Sequence, residues 1–131
     1  MVQGEGFSGV IFPAEKKLYG FGFAQEAQSW TPSENDVKLV EKQLPSFLKQ
    51  SAVQSPEARA IEQHLSSYKR QYAGIVVNGQ KEIFANFFCN TFNTDWTKEP
   101  VVVEDGGHCF FQVQFSMEKK SFHNLQINGR A

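Results

Sequence analysis

The fold is decided by residues 72–88, which read YAGIVVNGQKEIFANFF. Two apolar runs flank Asn78-Gly79, and this dipeptide is the strongest short signal for a β-hairpin because a type I′ turn needs positive φ at both central residues. The pattern therefore predicts two antiparallel strands whose register begins with Val77 opposite Gln80.

Two further strands are predicted downstream of this hairpin, over residues 109–116 and 121–127, with a turn at 117–120 between them. A connection over residues 90–107 holds Trp96 and an apolar run at 101–103. Together with the hairpin, these segments predict a four-stranded antiparallel meander.

Two helices are predicted upstream of the sheet. Residues 31–34 (TPSE) fit a capping box with Pro32 at the first helical position, and apolar residues then follow at three- and four-residue steps to about residue 50. Pro45 lies inside this pattern and removes a backbone hydrogen bond, so a kink or break is expected there. Residues 55–57 (SPE) start a second helix. Its expected apolar face comprises Ala58, Ile61, Leu65 and Tyr68.

The N-terminal segment, residues 1–30, is rich in glycine and aromatic residues. Two short apolar runs at 9–12 and 18–23 flank residues 13–17, which favours a weak hairpin. Nothing marks a linker, so residues 1–131 are predicted to form a single domain. The expected fold class is α+β: two helices packed on the four-stranded meander, with an extra N-terminal β-hairpin.

The register divides the predicted sheet into two faces. The helix face is the one expected to bury the two amphipathic helices. It carries Tyr72, Val76, Ile83, Ala85, Phe87, Cys89, Cys109, Phe111, Val113, Phe115, Leu125 and Ile127. The opposite face combines aromatic side chains with neutral amides, and Phe122 is also placed on it. Its candidate binding residues are Phe84, Asn86, Phe88, Phe110, Gln112 and Gln114.

An aromatic and amide face suits planar or hydroxyl-rich ligands, because rings offer flat contacts and amides offer paired donors and acceptors. Three arrangements fit it: residues 1–30 cover it, a second copy covers it in a homodimer, or it binds a ligand. The partner is then an unknown protein or a small ligand, and the domain a monomer or a homodimer.

The two cysteines, Cys89 and Cys109, start on the same predicted face at the two ends of one loop. They either form a disulfide or remain buried thiols. A Cys109–His123–Asp105 catalytic triad is disfavoured, because burial among phenylalanines raises a thiol pKa. The histidines have no metal-ligand spacing, so neither a metal site nor a cofactor is expected. Arg70 is interpreted as solvated or bonded to loop carbonyls.

Composition excludes several classes of protein. The chain has 13 phenylalanines in 131 residues, which argues against disorder. Its net charge of −1 gives no basic footprint for nucleic acid. No apolar run approaches the length of a membrane helix, so membrane insertion is not expected. The compartment is expected to be cytoplasmic, or periplasmic or secreted if a signal peptide has been removed.

The order of helices and strands over residues 31–131 resembles the cystatin-like and NTF2-like topologies, in which a curved sheet wraps a helix. Residues 75–79 (IVVNG) match the Val and Gly of the cystatin Gln-x-Val-x-Gly hairpin, with Ile75 in place of Gln. The second turn, residues 118–120 (EKK), has no Pro-Trp. The chain also resembles a group of small uncharacterised bacterial proteins at residues 30–33, 68–72 and 105–111 and at Asn128-Gly129. This resemblance implies no functional residues.

The expected function is binding or protein interaction without catalysis, through the aromatic and amide face. The alternative is a small enzyme or ligand carrier with a pocket between helix and sheet, which the NTF2-like resemblance implies. A cystatin-type protease inhibitor is a weaker alternative that the cystatin resemblance implies.

Overall fold

The computed structural model describes residues 1–4, 6–16, 21, 28–53 and 55–129 of the chain. These residues form an α+β fold with two α-helices and an open, mostly antiparallel sheet of seven strands. The helices are α1 (Glu34–Ala52) and α2 (Pro56–Gln63). The strands are β1 (Val2–Gly4), β2 (Phe7–Ile11), β3 (Ser29–Trp30), β4 (Lys69–Val77), β5 (Gln80–Phe88), β6 (Phe110–Ser116) and β7 (Ser121–Ile127).

The sheet has the strand order β1-β2-β4-β5-β6-β7, and β3 pairs with β4 off this path. Strands β4 to β7 are antiparallel neighbours in chain order, as the meander prediction requires. The predicted four-stranded meander is part of a larger sheet, because the N-terminal strands β2 and β3 pair with β4, and β1 pairs with β2. Strand β2 runs parallel to the first half of β4, and β3 lies antiparallel to its second half.

The central hairpin has the predicted register. Val77 lies opposite Gln80, and the ladder continues without a shift to the pair of Lys69 and Phe88. Asn78 and Gly79 have φ angles of 51° and 79°, so both central residues of the turn have the positive φ that a type I′ turn needs. The predicted bounds of β7 are confirmed, and β6 begins one residue later than expected.

The N-terminal hairpin lies earlier in the chain than predicted. Strand β1 pairs with β2 through a turn that contains Gly6, whose φ of 79° favours glycine. The predicted first strand, residues 9–12, overlaps β2. The predicted second strand, residues 18–23, lies outside the described residues except for Phe21.

The start of α1 differs from the predicted capping box. The N-cap is Ser33, whose hydroxyl accepts from the backbone N–H of Asp36 at 3.1 Å, while the Asp36 carboxylate accepts from the Ser33 N–H at 2.9 Å. The helix therefore starts two residues later than the TPSE pattern indicated, because Asp36 rather than Glu34 supplies the returning carboxylate. The Thr31 hydroxyl instead accepts from the Ala14 N–H.

Helix α1 ends close to its predicted limit, whereas α2 is shorter than predicted. Helix α1 continues past Pro45, whose ring is on an exposed position, so the expected break does not occur there. Helix α2 has Ser55 as its N-cap and Pro56 at its first turn, as predicted. It ends at Gln63, so the expected apolar residues Leu65 and Tyr68 follow it, in and just after a 3-10 turn.

The main core lies between the helices and the helix face of the sheet. Val37, Val40, Leu44 and Leu48 of α1 and Ile61 of α2 are fully buried. They belong to one cluster with the predicted sheet residues Tyr72, Ile83, Ala85, Phe87, Phe111, Val113 and Phe115. The aromatic rings of Phe87 and Phe111 stack with centroids 4.3 Å apart, at the centre of this cluster.

Phe122 lies on the helix face, contrary to the prediction. Its ring centroid is 4.9 Å from those of Phe47 and Phe115. The reason is a β-bulge, because one residue of β6 between Gln112 and Gln114 opposes two residues of β7, which include Asn124 with φ 58°. The extra residue reverses the alternation of the strand before it.

Candidate functional site: a cleft between the helices and the N-terminal hairpin

The predicted binding residues of the opposite face are largely buried. Asn86, Phe88 and Phe110 are at most 3% exposed. The connection between β5 and β6 lies over them, and Phe88 and Phe110 form a second cluster with Val101 that Trp96, Val103 and Cys109 also contact. Among the described residues, this connection therefore covers Phe88 and Phe110, while most of residues 17–27, part of the predicted N-terminal cover, lies outside the described part of the chain.

Buried amides attach this connection to the sheet. The Asn86 side chain donates to the Val101 carbonyl at 2.7 Å and to the Gln71 side chain at 3.1 Å. Gln71 in turn donates to the carbonyls of Trp96 and Glu99 and accepts from the Val101 N–H at 2.9 Å. Within the described chain, these amides satisfy the backbone of a covering loop.

The described residues leave a small opening on this face. A cavity of about 190 Å³ is lined by Phe84, Asn86 and Gln112, together with Phe21 and residues of the connection. Phe21 also packs on Phe84, with ring centroids 5.0 Å apart. Gln114 lies outside this cavity and donates to Glu82 at 3.0 Å. Ligand binding at this face stays a prediction, and this cavity by itself is smaller than the roughly 300 Å³ of ordinary ligand sites.

A much larger cleft of about 820 Å³ opens on the helix side of the molecule. Its walls are the N-terminal hairpin, α1, the end of α2 and the 3-10 turn that follows α2. The described residues that line it are Gln3, Gly4, Gly6, Phe7, Lys38, Glu41, Lys42, Pro45, Glu62, Gln63, Leu65, Ser66 and Arg70.

A buried ion pair lies at the floor of this cleft. The side chains of Arg70 and Glu41 are 1% and 7% exposed. The guanidinium binds the carboxylate through two bonds, from Nε to Oε2 at 3.2 Å and from Nη2 to Oε1 at 3.0 Å. The Tyr72 hydroxyl also donates to Glu41 Oε2. Both carboxylate oxygens are thus engaged, which holds the pair in one geometry.

Backbone and aromatic groups complete the surroundings of Arg70. Its Nη1 donates to the carbonyls of Leu65 and Tyr68 at 3.0 Å and 2.5 Å. The rings of Phe7 and Phe87 lie 5.7 Å and 5.1 Å from the guanidinium carbon. The carbonyl bonds agree with one interpretation made from the sequence, and the alternative of a solvated Arg70 is wrong.

The sequence interpretation missed Arg70 and Glu41 as members of one site. Strand alternation places Arg70 on the same face as Tyr72, and helical spacing places Glu41 next to the buried stripe of Val37, Val40 and Leu44. Both are charged residues at positions that face the core, a pattern that predicts a buried ion pair. Only their pairing across 29 residues of sequence needed the tertiary structure.

Burial raises the pKa values of two tyrosine side chains near Arg70. Burial raises the pKa of Tyr68 to about 12. Burial, reinforced by the Glu41 carboxylate, raises the pKa of Tyr72 well above its usual range. The Tyr68 hydroxyl donates to the His108 carbonyl at 2.6 Å, which keeps the neutral phenol in place.

We expect the stability of the protein to fall as the pH rises from about 10 towards 12, because the unfolded tyrosines ionise near 10 while the folded ones stay protonated. The folded state then binds more protons than the unfolded state, and stability decreases with pH. Denaturant unfolding across this range measures the effect. The loss should be smaller in the Tyr68→Phe/Tyr72→Phe variant, and an identical pH profile in both proteins would contradict it.

Other candidate groups do not form a reaction centre. Cys89 and Cys109 form a disulfide with Cα atoms 5.1 Å apart, so Cys109 offers no thiol for the disfavoured triad. Contrary to the predicted face, Cys109 contacts the cluster of the opposite face. His123 binds the Glu82 carboxylate at 2.8 Å on the edge of β7. Among the described residues, no group of three acidic, histidine or cysteine side chains is placed to hold a metal ion.

Comparisons with known proteins indicate no function for this chain. No family model, curated protein or solved structure matches the chain. Neither described helix has the length and apolar character needed to cross a membrane.

Proposed function

We propose that this domain binds a small polar molecule in the cleft between the helices and the N-terminal hairpin. The observation that carries the proposal is the cleft itself, whose volume of about 820 Å³ falls within the roughly 300–1,000 Å³ of small-molecule sites. Its described lining joins apolar groups such as Phe7 and Leu65 to the polar side chains of Gln3, Gln63 and Ser66, as in sites that orient a ligand.

The state of Glu41 supports binding rather than proton transfer. A general base must lie within hydrogen-bond reach of the substrate proton that it takes, and the Glu41 side chain is only 7% exposed. Both oxygens of Glu41 accept hydrogen bonds from Arg70 or Tyr72. The pair therefore supports a ligand carrier or binding domain, in which it forms a rigid floor.

The order of helices and strands also supports a ligand-binding function. Two helices followed by the antiparallel strands β4 to β7 have the element order of cystatin-like and NTF2-like domains. We propose the NTF2-like relation as the more informative of the two, because a pocket beside the helix is the feature that it implies. The proposal rests on the cleft and not on the resemblance.

A fragment screen monitored by backbone amide chemical shifts tests this function. We expect some fragments to shift amides around the cleft in a saturable way, and Ser66→Trp to abolish these shifts because an indole would fill the cleft. Ser67→Trp is the matched control, since Ser67 is the exposed next residue and does not line the cleft. Fragment binding that is absent, or that Ser66→Trp leaves unchanged, would refute the proposal.

A further inference from the structure

Only some of the charged side chains that line the cleft are paired. Among its described lining residues, Arg70 and Glu41 neutralise each other in the buried pair. The other charged residues of the described lining are Lys38, Lys42 and Glu62, whose formal charges leave an excess of one positive charge. This excess lies in a protein whose formal net charge is −1, so it is a local feature of the cleft.

The two lysines have no carboxylate partner of their own. They are four residues apart on α1, so they lie on one face of the helix and repel each other. Within the described part of the chain neither forms an ion pair. Glu41 lies between them in the sequence, but both of its oxygens are already bound by Arg70 and Tyr72.

Arg70 keeps one unused donor at the floor of the same cleft. A guanidinium carries five N–H groups. One bond from Nε, two from Nη1 and one from Nη2 use four of them among the described residues. The fifth, on Nη2, makes none of these four bonds, and Arg70 is one of the residues that line the cleft. A charged acceptor makes a shorter and stronger bond to a guanidinium than a neutral one does.

We infer that the ligand of the cleft carries an oxyanion, a carboxylate or a phosphate group, which lies between Lys38, Lys42 and the Nη2 atom of Arg70. This inference rests on the proposed function, since it names the ligand class of the same cleft. An oxyanion relieves the repulsion between the lysines and accepts the unused N–H. The apolar wall at Phe7 and Leu65 then contacts the uncharged part of the molecule.

Titration with benzoate, benzamide and benzylammonium tests the inference, because the three probes share a ring and differ in charge. Amide shifts around the cleft report binding. Benzoate is expected to bind at least about fivefold more tightly than benzamide, because a charge-assisted hydrogen bond is about 1 kcal/mol stronger than a neutral one. Added salt should weaken benzoate selectively. Inorganic phosphate is titrated in a parallel experiment. The anion that binds more tightly, benzoate or phosphate, indicates whether the ligand carries a carboxylate or a phosphate group.

Matched variants separate the lysines from general surface charge. Lys38→Gln/Lys42→Gln should reduce benzoate binding to the level of benzamide, while Lys49→Gln, an exposed position of α1 outside the cleft, should leave it unchanged. Benzamide or benzylammonium binding as tightly as benzoate would overturn the inference and leave the proposed function standing. If no probe and no screened fragment reaches the cleft, both fail.

Discussion

Replacing Glu41 with alanine is expected to lower the free energy of unfolding by about 3–5 kcal/mol. The substitution leaves the Arg70 guanidinium, which is 1% exposed, without its counter-charge beside the rings of Phe7 and Phe87. The Tyr72 hydroxyl also loses its acceptor. Urea unfolding followed by circular dichroism measures the change.

Two further variants show whether the unpaired charge is the cause. Lys42→Ala changes the exposed next residue of α1 and should alter stability by no more than about 0.5 kcal/mol. The Glu41→Leu/Arg70→Met variant removes both charges and should be more stable than Glu41→Ala, since no unpaired ion remains buried. A Glu41→Ala cost below about 1 kcal/mol would show that solvent reaches the guanidinium after all.

Removing the disulfide with Cys89→Ala/Cys109→Ala is expected to cost about 3 kcal/mol. The bond closes a loop of 20 residues, and opening it increases the conformational freedom of the unfolded chain. In the folded state the same loop carries Val101 and Trp96 onto Phe88 and Phe110. Guanidinium unfolding of the oxidised protein and of the double variant measures the difference.

Reduction of the native protein provides the control for this experiment. Wild-type protein in reductant should unfold at the same denaturant concentration as the double variant, and reductant should not change the double variant. Equal stability of oxidised and reduced wild type would contradict the prediction. It would mean that the amide bonds of Gln71 and Asn86 suffice to hold the connection on the sheet.

The strands and helices were predictable where local rules decide them. Asn78-Gly79 determines a two-residue turn, and the turn determines the register of eighteen paired positions because side chains alternate strictly along a strand. The Ser55-Pro56 start of α2 is equally local, since a cap acts within one helical turn. The helix face followed from the same alternation, and the core cluster matches it in β4, β5 and β6.

The errors occur where distant residues compete. The bulge at Asn124 moves Phe122 to the helix face, where its ring packs against Phe47 and Phe115. The local pattern of β7 does not reveal this packing, because both partners lie in other elements. The prediction that the opposite face is covered rests on a general rule, because large exposed patches of phenylalanine are unfavourable in water. The connection at 90–107 covers Phe88 and Phe110, because buried amides of β4 and β5 bind its backbone.

The sequence by itself determined the α+β class, the central hairpin with its register and the face on which the helices pack, because all three depend on contacts within a few residues or on strict periodicity. The tertiary structure alone decided which charged residues meet and where a cleft stays open. Glu41 and Arg70 are far apart in the chain, and their pairing requires α1 to lie across β4. A cleft is the space that packed elements leave between them, so its position depends on all of them at once.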